Sequence, residues 1–314
     1  MNILSSTDKL PYLMALRPRQ WTKNLIVFAA PLFAFSINLQ SLLSSLLAFA
    51  LFCGASSSFY LINDIADVEA DRQHPVKCKR PIAAGLVSVP VAAGMAVLLL
   101  GSVLTISWLK SSQLGAVITA YALLQVAYNL QLKRTVILDI GAIATGFVLR
   151  ALGGAAATGV VLSSWLLLCT AMLALFLGIE KRKAELRLTQ LKGSKPRSVL
   201  KHYSLPMLSR MENVVTSSTV VTYALWSSGP YIRGASTSWM LLTLPFVLYG
   251  LFRYQLLSDP QEISRSSDSD IEQGGRTERP EEVLLKDLPM LLTVIGWVIT
   301  CFTILWLKNQ TLIQ

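Results

Sequence analysis

Asn63, Asp64, Asp67 and Asp71 are separated by one, three and four residues, so on an α-helix they share one face. Carboxylates held that close repel one another unless a cation joins them. A few hard oxygen ligands suit Mg²⁺, which keeps part of its water and takes its remaining ligands from substrate phosphates. Bases follow at once. Lys77, Lys79 and Arg80 come six to nine residues after Asp71, within reach of the far side of a polyphosphate whose near side is bridged by metal. Pro81 and Gly85 then turn the chain. A charge run is ordinarily a solvated loop, but such a loop needs only net polarity. This one segregates its acids at helical spacing, places bases after them and ends in a turn.

The stretches that must position this island are apolar. The chain has 314 residues, of which 53% are apolar and 15% charged, with a mean hydropathy of +0.53, so most of it is expected to lie in a bilayer. The expected class is an all-α, polytopic membrane protein, a single unit over 1–314. Nine apolar spans are read near residues 22–38, 41–61, 89–108, 113–132, 136–160, 163–179, 214–231, 237–256 and 288–307. Residues 1–20 have no apolar core or small-residue cleavage site, so the N-terminus is expected to be retained. The formal charge of +10 could suit nucleic acid, but its distribution fits topology and phosphate better. The N-terminus and the connections after the second, fourth, sixth and eighth spans hold 24 of the 28 Lys and Arg residues. By the positive-inside rule that face, with the charged island, is cytoplasmic and the C-terminus lies opposite. Lys110, Arg233 and Lys308 fall on the far side, and Arg150 within the fifth span. Cys53, Cys78, Cys169 and Cys301 are scattered without metal-ligand spacing, which implies neither zinc nor a disulfide framework.

Three further stretches bring charge to the cytoplasmic face. In RPRQWTKN, Arg17, Arg19 and Lys23 flank Trp21, which fits either a snorkelling anchor or a phosphate site. YNLQLKR carries Tyr128, Lys133 and Arg134, with Asp139 opening the next span. Arg150 stands about three turns beyond Asp139 on nearly the same face. An arginine that deep needs a buried partner or a polar cavity, so it is either a helix clamp or a substrate contact. Gly153, Gly154 and Gly159, with Ala155 to Ala157, suit close helix packing. GIEKRKAEL holds Glu180, Lys181, Arg182, Lys183 and Glu185, a second polar cluster at a cytoplasmic helix end. His74 and His202 show no partner pattern for a catalytic pair. The Ser- and Asp-rich stretch 258–279 is expected to be a flexible cytoplasmic loop, with helical character returning over Pro280 to Asp287.

NDIADVEAD followed by K-x-x-R-P-x-x-x-G resembles the first signature of the UbiA superfamily, intramembrane transferases with nine transmembrane helices around a central cytoplasm-facing cavity. Most members of that superfamily move a prenyl group from an allylic diphosphate to an aromatic acceptor, with aspartates holding the diphosphate through Mg²⁺. A second aspartate-rich motif after their sixth span holds further metal. This sequence departs there, with Glu180, Lys181, Arg182 and Glu185 in place of a second D-x-x-x-D. With RPRQWTKN, YNLQLKR, FVLRALGGAAATG and GIEKRKAEL, the chain more closely resembles the decaprenyl-phosphate phosphoribosyltransferase branch. Transfer of phosphoribose would bring a diphosphate, a 5-phosphate and a lipid phosphate together, each needing its own cations. Four basic clusters, around Arg17, Lys77, Lys133 and Lys181, could supply them.

The resemblance implies a membrane-embedded, Mg²⁺-dependent transferase of the plasma membrane, acting on 5-phosphoribosyl diphosphate and a polyprenyl phosphate. Asn63, Asp64, Asp67 and Asp71 would hold the metal. Asp64, Asp67, Lys77 and Arg80 would carry catalysis, with Asn63, Lys77 and Arg80 on the diphosphate. Lys181, Arg182 and Glu185 are candidates for the 5-phosphate and ribose, and Arg17, Arg19, Lys23, Lys133 and Arg134 for the lipid phosphate; these two assignments are exchangeable. Tyr128 and Arg150 join the substrate-binding candidates. The bilayer is the expected partner, nucleic acid is not, and a homo-oligomer is left open. The nearer alternative is prenyl transfer from an allylic diphosphate to an aromatic acceptor. A transporter is disfavoured, because the charges gather on one side and only Arg150 lies deep.

Overall fold

The computed structural model describes residues 10–36, 38–73, 76–192, 198–259, 283, 287–310 and 312, and every regular element among them is helical. Hydrocarbon offers no partner for a free backbone N–H or C=O, so apolar stretches satisfy those groups within themselves as helices. In chain order they are α1 (Pro11–Ala15), a 3-10 segment (Pro18–Phe28), α2 (Ala29–Phe33), α3 (Leu39–Ala66), α4 (Val68–Arg72), α5 (Val89–Lys110) and α6 (Ser112–Leu130). There follow α7 (Leu138–Thr158), α8 (Ser164–Lys192), α9 (Leu205–Ser227), α10 (Leu244–Leu257) and α11 (Leu288–Asn309). Side-chain caps set several of the starts. Asn38, Ser111, Ser204 and Asp287 accept from the backbone N–H groups of Ser41, Leu114, Met207 and Met290. Asp287 also receives Arg253 Nη2 at 2.8 Å, which ties the end of α10 to the start of α11.

Among the described residues six helices are long and apolar enough to cross a membrane: α3, α5, α7, α8, α11 and the run Ser238–Leu257 that contains α10. The expected first span, 22–38, is not one helix but a 3-10 segment followed by the five-residue α2, entered through a left-handed Arg17 and Pro18. α6 and α9 occupy the expected fourth and seventh spans but are more polar; α9 carries Arg210 and Glu212. The expected sixth span is extended. α8 runs on to Lys192, so the Glu180 to Glu185 cluster lies on the helix itself, where the ion pairs Glu180–Lys183 and Arg182–Glu185 lie three residues apart. Most of the loop expected over 258–279, from residue 260 onward, lies outside the described residues, as does most of Pro280 to Asp287.

Burial separates inner from outer helices. In their most apolar windows α3 is 61% and α7 50% buried within the protein, against 17% for α5 and 22% for α11. α3 and α7 therefore form the middle of the bundle and the others shield them from lipid. α7 packs on the 3-10 segment, α3, α6 and α8. Its small residues allow this. A Cβ on Gly154 would lie 1.9 Å from the Val27 carbonyl oxygen, and one on Gly153 would lie 2.2 Å from the Phe52 ring.

Arg150 settles into the clamp rather than an open site. Its Nε donates to Asn24 Oδ1 at 2.6 Å, Nη1 to the Gly146 carbonyl at 2.9 Å and Nη2 to Tyr121 Oη at 2.8 Å. The guanidinium also lies over the Tyr121 ring, 4.8 Å from its centre, while Asn24 Nδ2 reaches Cys53 Sγ at 3.2 Å. One buried cation thus fastens the 3-10 segment, α6 and α7 together, with α3 held through Asn24.

The close approach at Gly154 yields a stability expectation. Gly154→Ala forces α7 away from the Val27 backbone, and overpacking of this kind costs about 1–3 kcal/mol. The purified variant in detergent should therefore melt below wild type; an unchanged melting temperature would show that the two backbones do not meet.

Candidate active site

The charged island is built where α3 ends. α3 stops at Ala66, Asp67 takes a non-helical ψ of 7° and α4 restarts at Val68. The single helical face expected for Asn63 to Asp71 is therefore interrupted. Asp64 and Asp71 are buried, whereas Asn63 and Asp67 are half-buried and pair with each other, Asn63 Nδ2 to Asp67 Oδ2 at 3.1 Å. Arg80 returns from the turn beyond Lys77–Lys79, and its Nη1 bridges the buried acids, 3.0 Å from Asp64 Oδ1 and 2.5 Å from Asp71 Oδ2. Lys77 Nζ stands 3.8 Å from Asp71 Oδ1. The backbone turn that sends Arg80 back is closed at Gly85, whose φ of 74° suits glycine.

Two distant stretches join this group. Arg17 Nη2 lies 2.5 Å from Asp64 Oδ1, and its guanidinium sits 4.9 Å from the centre of the Tyr60 ring. Arg17 has a left-handed backbone, φ 55° and ψ 60°, a conformation unusual for a non-glycine residue and common at functional sites. The segment around it is pinned to α3: Ser57 Oγ donates to the Leu16 carbonyl at 2.8 Å and receives Trp21 Nε1 at 3.0 Å. From the connection after α6, Lys133 Nζ donates to Asn63 Oδ1 at 3.3 Å. Arg17, Lys77 and Arg80 thus surround one pair of acids, with Lys133 on the neighbouring Asn63, each cation retaining some exposure. Arg19 and Arg134 are exposed, and Lys23 Nζ donates to Gln20 Oε1 at 2.5 Å.

The second cluster has a different character. Arg182 is 1% exposed, with Nε 2.7 Å from Asp139 Oδ2 and Nη1 2.5 Å from Glu185 Oε2. Tyr128, half-buried, lies near enough to act on its charge. Tyr203 Oη donates to Asp139 Oδ1 at 2.7 Å and accepts the Ile137 N–H at 2.7 Å. Burial, and then the Asp139 carboxylate beside it, push the Tyr203 phenol up, so it keeps its proton and remains the donor. Next to Arg182 in sequence, Lys183 is buried between Glu180, at 2.7 Å, and Glu212 of α9, which also receives Gln255 Nε2 at 2.8 Å. Arg182 and Glu185 are consequently engaged in a helix-to-helix clamp and not presented to a ligand; Lys181 is half-buried on the same helix.

Sequence spacing signals the island and the bases that follow it, but not the convergence of Arg17 and Lys133 upon it. Nor does it single out Tyr203, Glu212, Asn24 or Tyr121, which are common residue types in ordinary helical contexts. Asp139 was visible as a lone acid at the start of a span; its partner is Arg182, whereas Arg150, on nearly the same face, is held elsewhere. His74 lies outside the described residues.

The donor set fits a divalent cation of the Mg²⁺ type. Two buried carboxylates already converge on one cationic nitrogen, Arg80 Nη1, and their oxygens need positive charge at that point. Among the described residues no three Asp, Glu, His or Cys side chains gather in a way that could hold a metal ion. Mg²⁺ needs no such cage, since it commonly takes one or two carboxylates and completes its shell with water and phosphate oxygens.

The sequence matches the profile of the UbiA prenyltransferase family over residues 24–269. It is 37% identical over 297 residues to the decaprenyl-phosphate phosphoribosyltransferase of Mycolicibacterium smegmatis, covering 90% of this chain and 89% of that protein. It is 36% identical over 291 residues to the protein of the same name from Corynebacterium glutamicum, covering 90% and 83%. The fold resembles a UbiA homologue from Archaeoglobus fulgidus bound to GPP and Mg²⁺, with a TM-score of 0.67 at 18% identity, covering 93% of this chain and 98% of that one.

Arg182→Ala distinguishes a clamp from a ligand. It leaves Asp139 and Glu185 without their common cation, and breaking a buried pair from one side costs about 3–5 kcal/mol. The variant should melt well below wild type, and saturating diphosphate should not restore it. Wild-type melting with weakened anion affinity alone would return Arg182 to the phosphate-binding set.

Proposed function

The chain belongs to the UbiA prenyltransferase family, and from that premise we propose that it transfers 5-phosphoribose from 5-phosphoribosyl diphosphate to a polyprenyl phosphate, releasing diphosphate. The observation that carries this reading is the gathering of three partly exposed cations, Arg17, Lys77 and Arg80, around the Asp64 and Asp71 carboxylates, with a fourth, Lys133, on the neighbouring Asn63. So dense a set of cations suits more than one phosphate group. The names of the relatives, shared over most of the chain, point to the same donor and acceptor.

Asp64 and Asp71 would hold Mg²⁺, with Asn63 and Asp67 supplying the adjoining oxygens. When bound, the metal supplies charge to the diphosphate oxygens as the bond to the ribose C1 breaks. Arg80, now freed from bridging the two acids, and Lys77 turn to the same diphosphate and stabilise the charge that develops on it. Lys133, held at Asn63, and Arg17, held over Tyr60, stand where the 5-phosphate and the lipid phosphate need cations. An oxygen of the lipid phosphate attacks C1 as the C1–O bond to diphosphate breaks, and the electron pair of that bond leaves with diphosphate. The phosphate nucleophile is ionised at neutral pH, so no side chain need act as a strong base. The polyprenyl tail lies among the helices in lipid. The site faces the cytoplasm, an orientation supported by the bias of Lys and Arg to one face, and the protein resides in the plasma membrane.

A second reading, prenyl transfer from an allylic diphosphate to an aromatic acceptor, is favoured by the GPP and Mg²⁺ bound to the Archaeoglobus fulgidus homologue. It uses the same acids on a single diphosphate. The two readings part in an assay of diphosphate release by purified protein with Mg²⁺. 5-Phosphoribosyl diphosphate with polyprenyl phosphate should give release and a phosphoribosylated lipid, whereas polyprenyl diphosphate with a hydroxybenzoate should give none. The reverse result would establish prenyl transfer.

In the productive pair, Asp64→Asn, Asp67→Asn or Asp71→Asn should abolish turnover in protein that still inserts and purifies normally, and chelation of Mg²⁺ should do the same to wild type. Full activity of the Asp64 or Asp71 variant would remove the metal role from these acids.

A further inference from the structure

Ile137 is β-branched and holds φ 70° and ψ −43°. A positive φ is a costly steric outlier for such a residue, and it persists only where the surroundings over-determine it. Its own side chain returns little of that cost, being 54% exposed. The conformation is held from outside. The Ile137 N–H donates to Tyr203 Oη, which donates in turn to Asp139 Oδ1, two residues along in the first turn of α7. The other Asp139 oxygen is fixed by Arg182, and Arg182 by Glu185 on α8. The Tyr203 ring is itself buried in the cluster of Ile140, Val199 and Leu200, with Val136 packed against it. Its hydroxyl is therefore a rigid fixture of the bundle, not a mobile group.

That fixture sets where the preceding residues go. Lys133 lies four residues before Ile137, in the 3-10 turn Leu132–Arg134, and crosses to Asn63. A relaxed φ at Ile137 would swing this turn and carry Lys133 with it. We propose that Tyr203 is a positioning residue for the anion site: its hydroxyl holds the strained Ile137 turn so that Lys133 reaches Asn63 at the edge of that site. Tyr203 touches neither the site's acids nor a substrate and acts through Lys133 alone. The inference rests on the reading of Lys133 as a phosphate-binding cation.

Full-length Lys133→Ala, Tyr203→Phe and the double variant, purified in detergent, are compared for binding of 5-phosphoribosyl diphosphate with Mg²⁺ and no lipid acceptor, by calorimetry, with melting temperature measured alongside. Loss of a charge-assisted contact should weaken binding about tenfold in Lys133→Ala. Tyr203→Phe should weaken it to a similar degree, and the double variant should bind no worse than Lys133→Ala, since the two act through one contact. Multiplying losses in the double variant, or wild-type affinity in Tyr203→Phe, would overturn the inference while leaving the role of Lys133 intact. Wild-type affinity in Lys133→Ala would overturn that role and the inference with it. Should Tyr203→Phe fail to fold, Ile137→Pro serves instead. It fixes φ near the negative value that proline imposes and removes the N–H that Tyr203 holds, so it releases the same turn at an exposed position and should weaken binding in the wild-type background but not in Lys133→Ala; equal affinity in the wild-type background would sink the proposal.

Discussion

A charge taken out of water must meet a polar or charged partner, and much of this architecture follows from that requirement. The bundle interior offers neither solvent nor, along its helices, free backbone groups, so Arg150, Arg182 and Lys183 each draw at least one partner from a separate element. Arg150 draws on Asn24 and Tyr121, Arg182 on Asp139 and Glu185, and Lys183 on Glu180 and Glu212. These pairings lock the helices in register, because sliding one helix by a turn would strand a charge in a medium of low dielectric.

Against that background the group around Asp64 stands apart. Its acids are as buried as those of the clamps, 3% exposed for each side chain, but its cations, Arg17, Lys77 and Arg80, remain a quarter to a third exposed. The clamps on Arg182 and Lys183 enclose their cations, whereas here the cations keep contact with solvent. Exposure alone does not separate the two kinds of pair, because Arg253, which ties α10 to α11 through Asp287, is exposed to the same degree as Arg17. What sets the Asp64 group apart is that several such cations converge on one pair of buried acids.

The second cluster shows how one family fold can carry different polar chemistry. Where other members are expected to place aspartates, α8 presents Glu180, Lys183 and Glu185, and the ammonium of Lys183 sits between two carboxylates from different helices. Arg182 connects the same helix to Asp139 and, through Tyr203, to the turn that carries Lys133. The two polar clusters are therefore mechanically joined although they share no side chain.

Much of this was legible along the chain. Hydropathy marks the spans, since a helix is the solution open to an apolar segment in lipid. The spacing of Asn63, Asp64, Asp67 and Asp71 marks the acids, and Gly153 and Gly154 mark a close packing face, because these are local properties of consecutive residues. The break at Asp67, the 3-10 start of the chain and the continuation of α8 through its charged cluster were not, for each depends on which neighbour satisfies a side chain or a backbone group. Arg150 could equally have faced a substrate, and Arg182 looked like a phosphate ligand. By itself the sequence determined the membrane-embedded helical class, the family and the close spacing of the acids over Asn63 to Asp71. Tertiary structure alone decided which cations keep contact with solvent and which are consumed in clamps, because a partner 43 or 126 residues away leaves no periodicity to read.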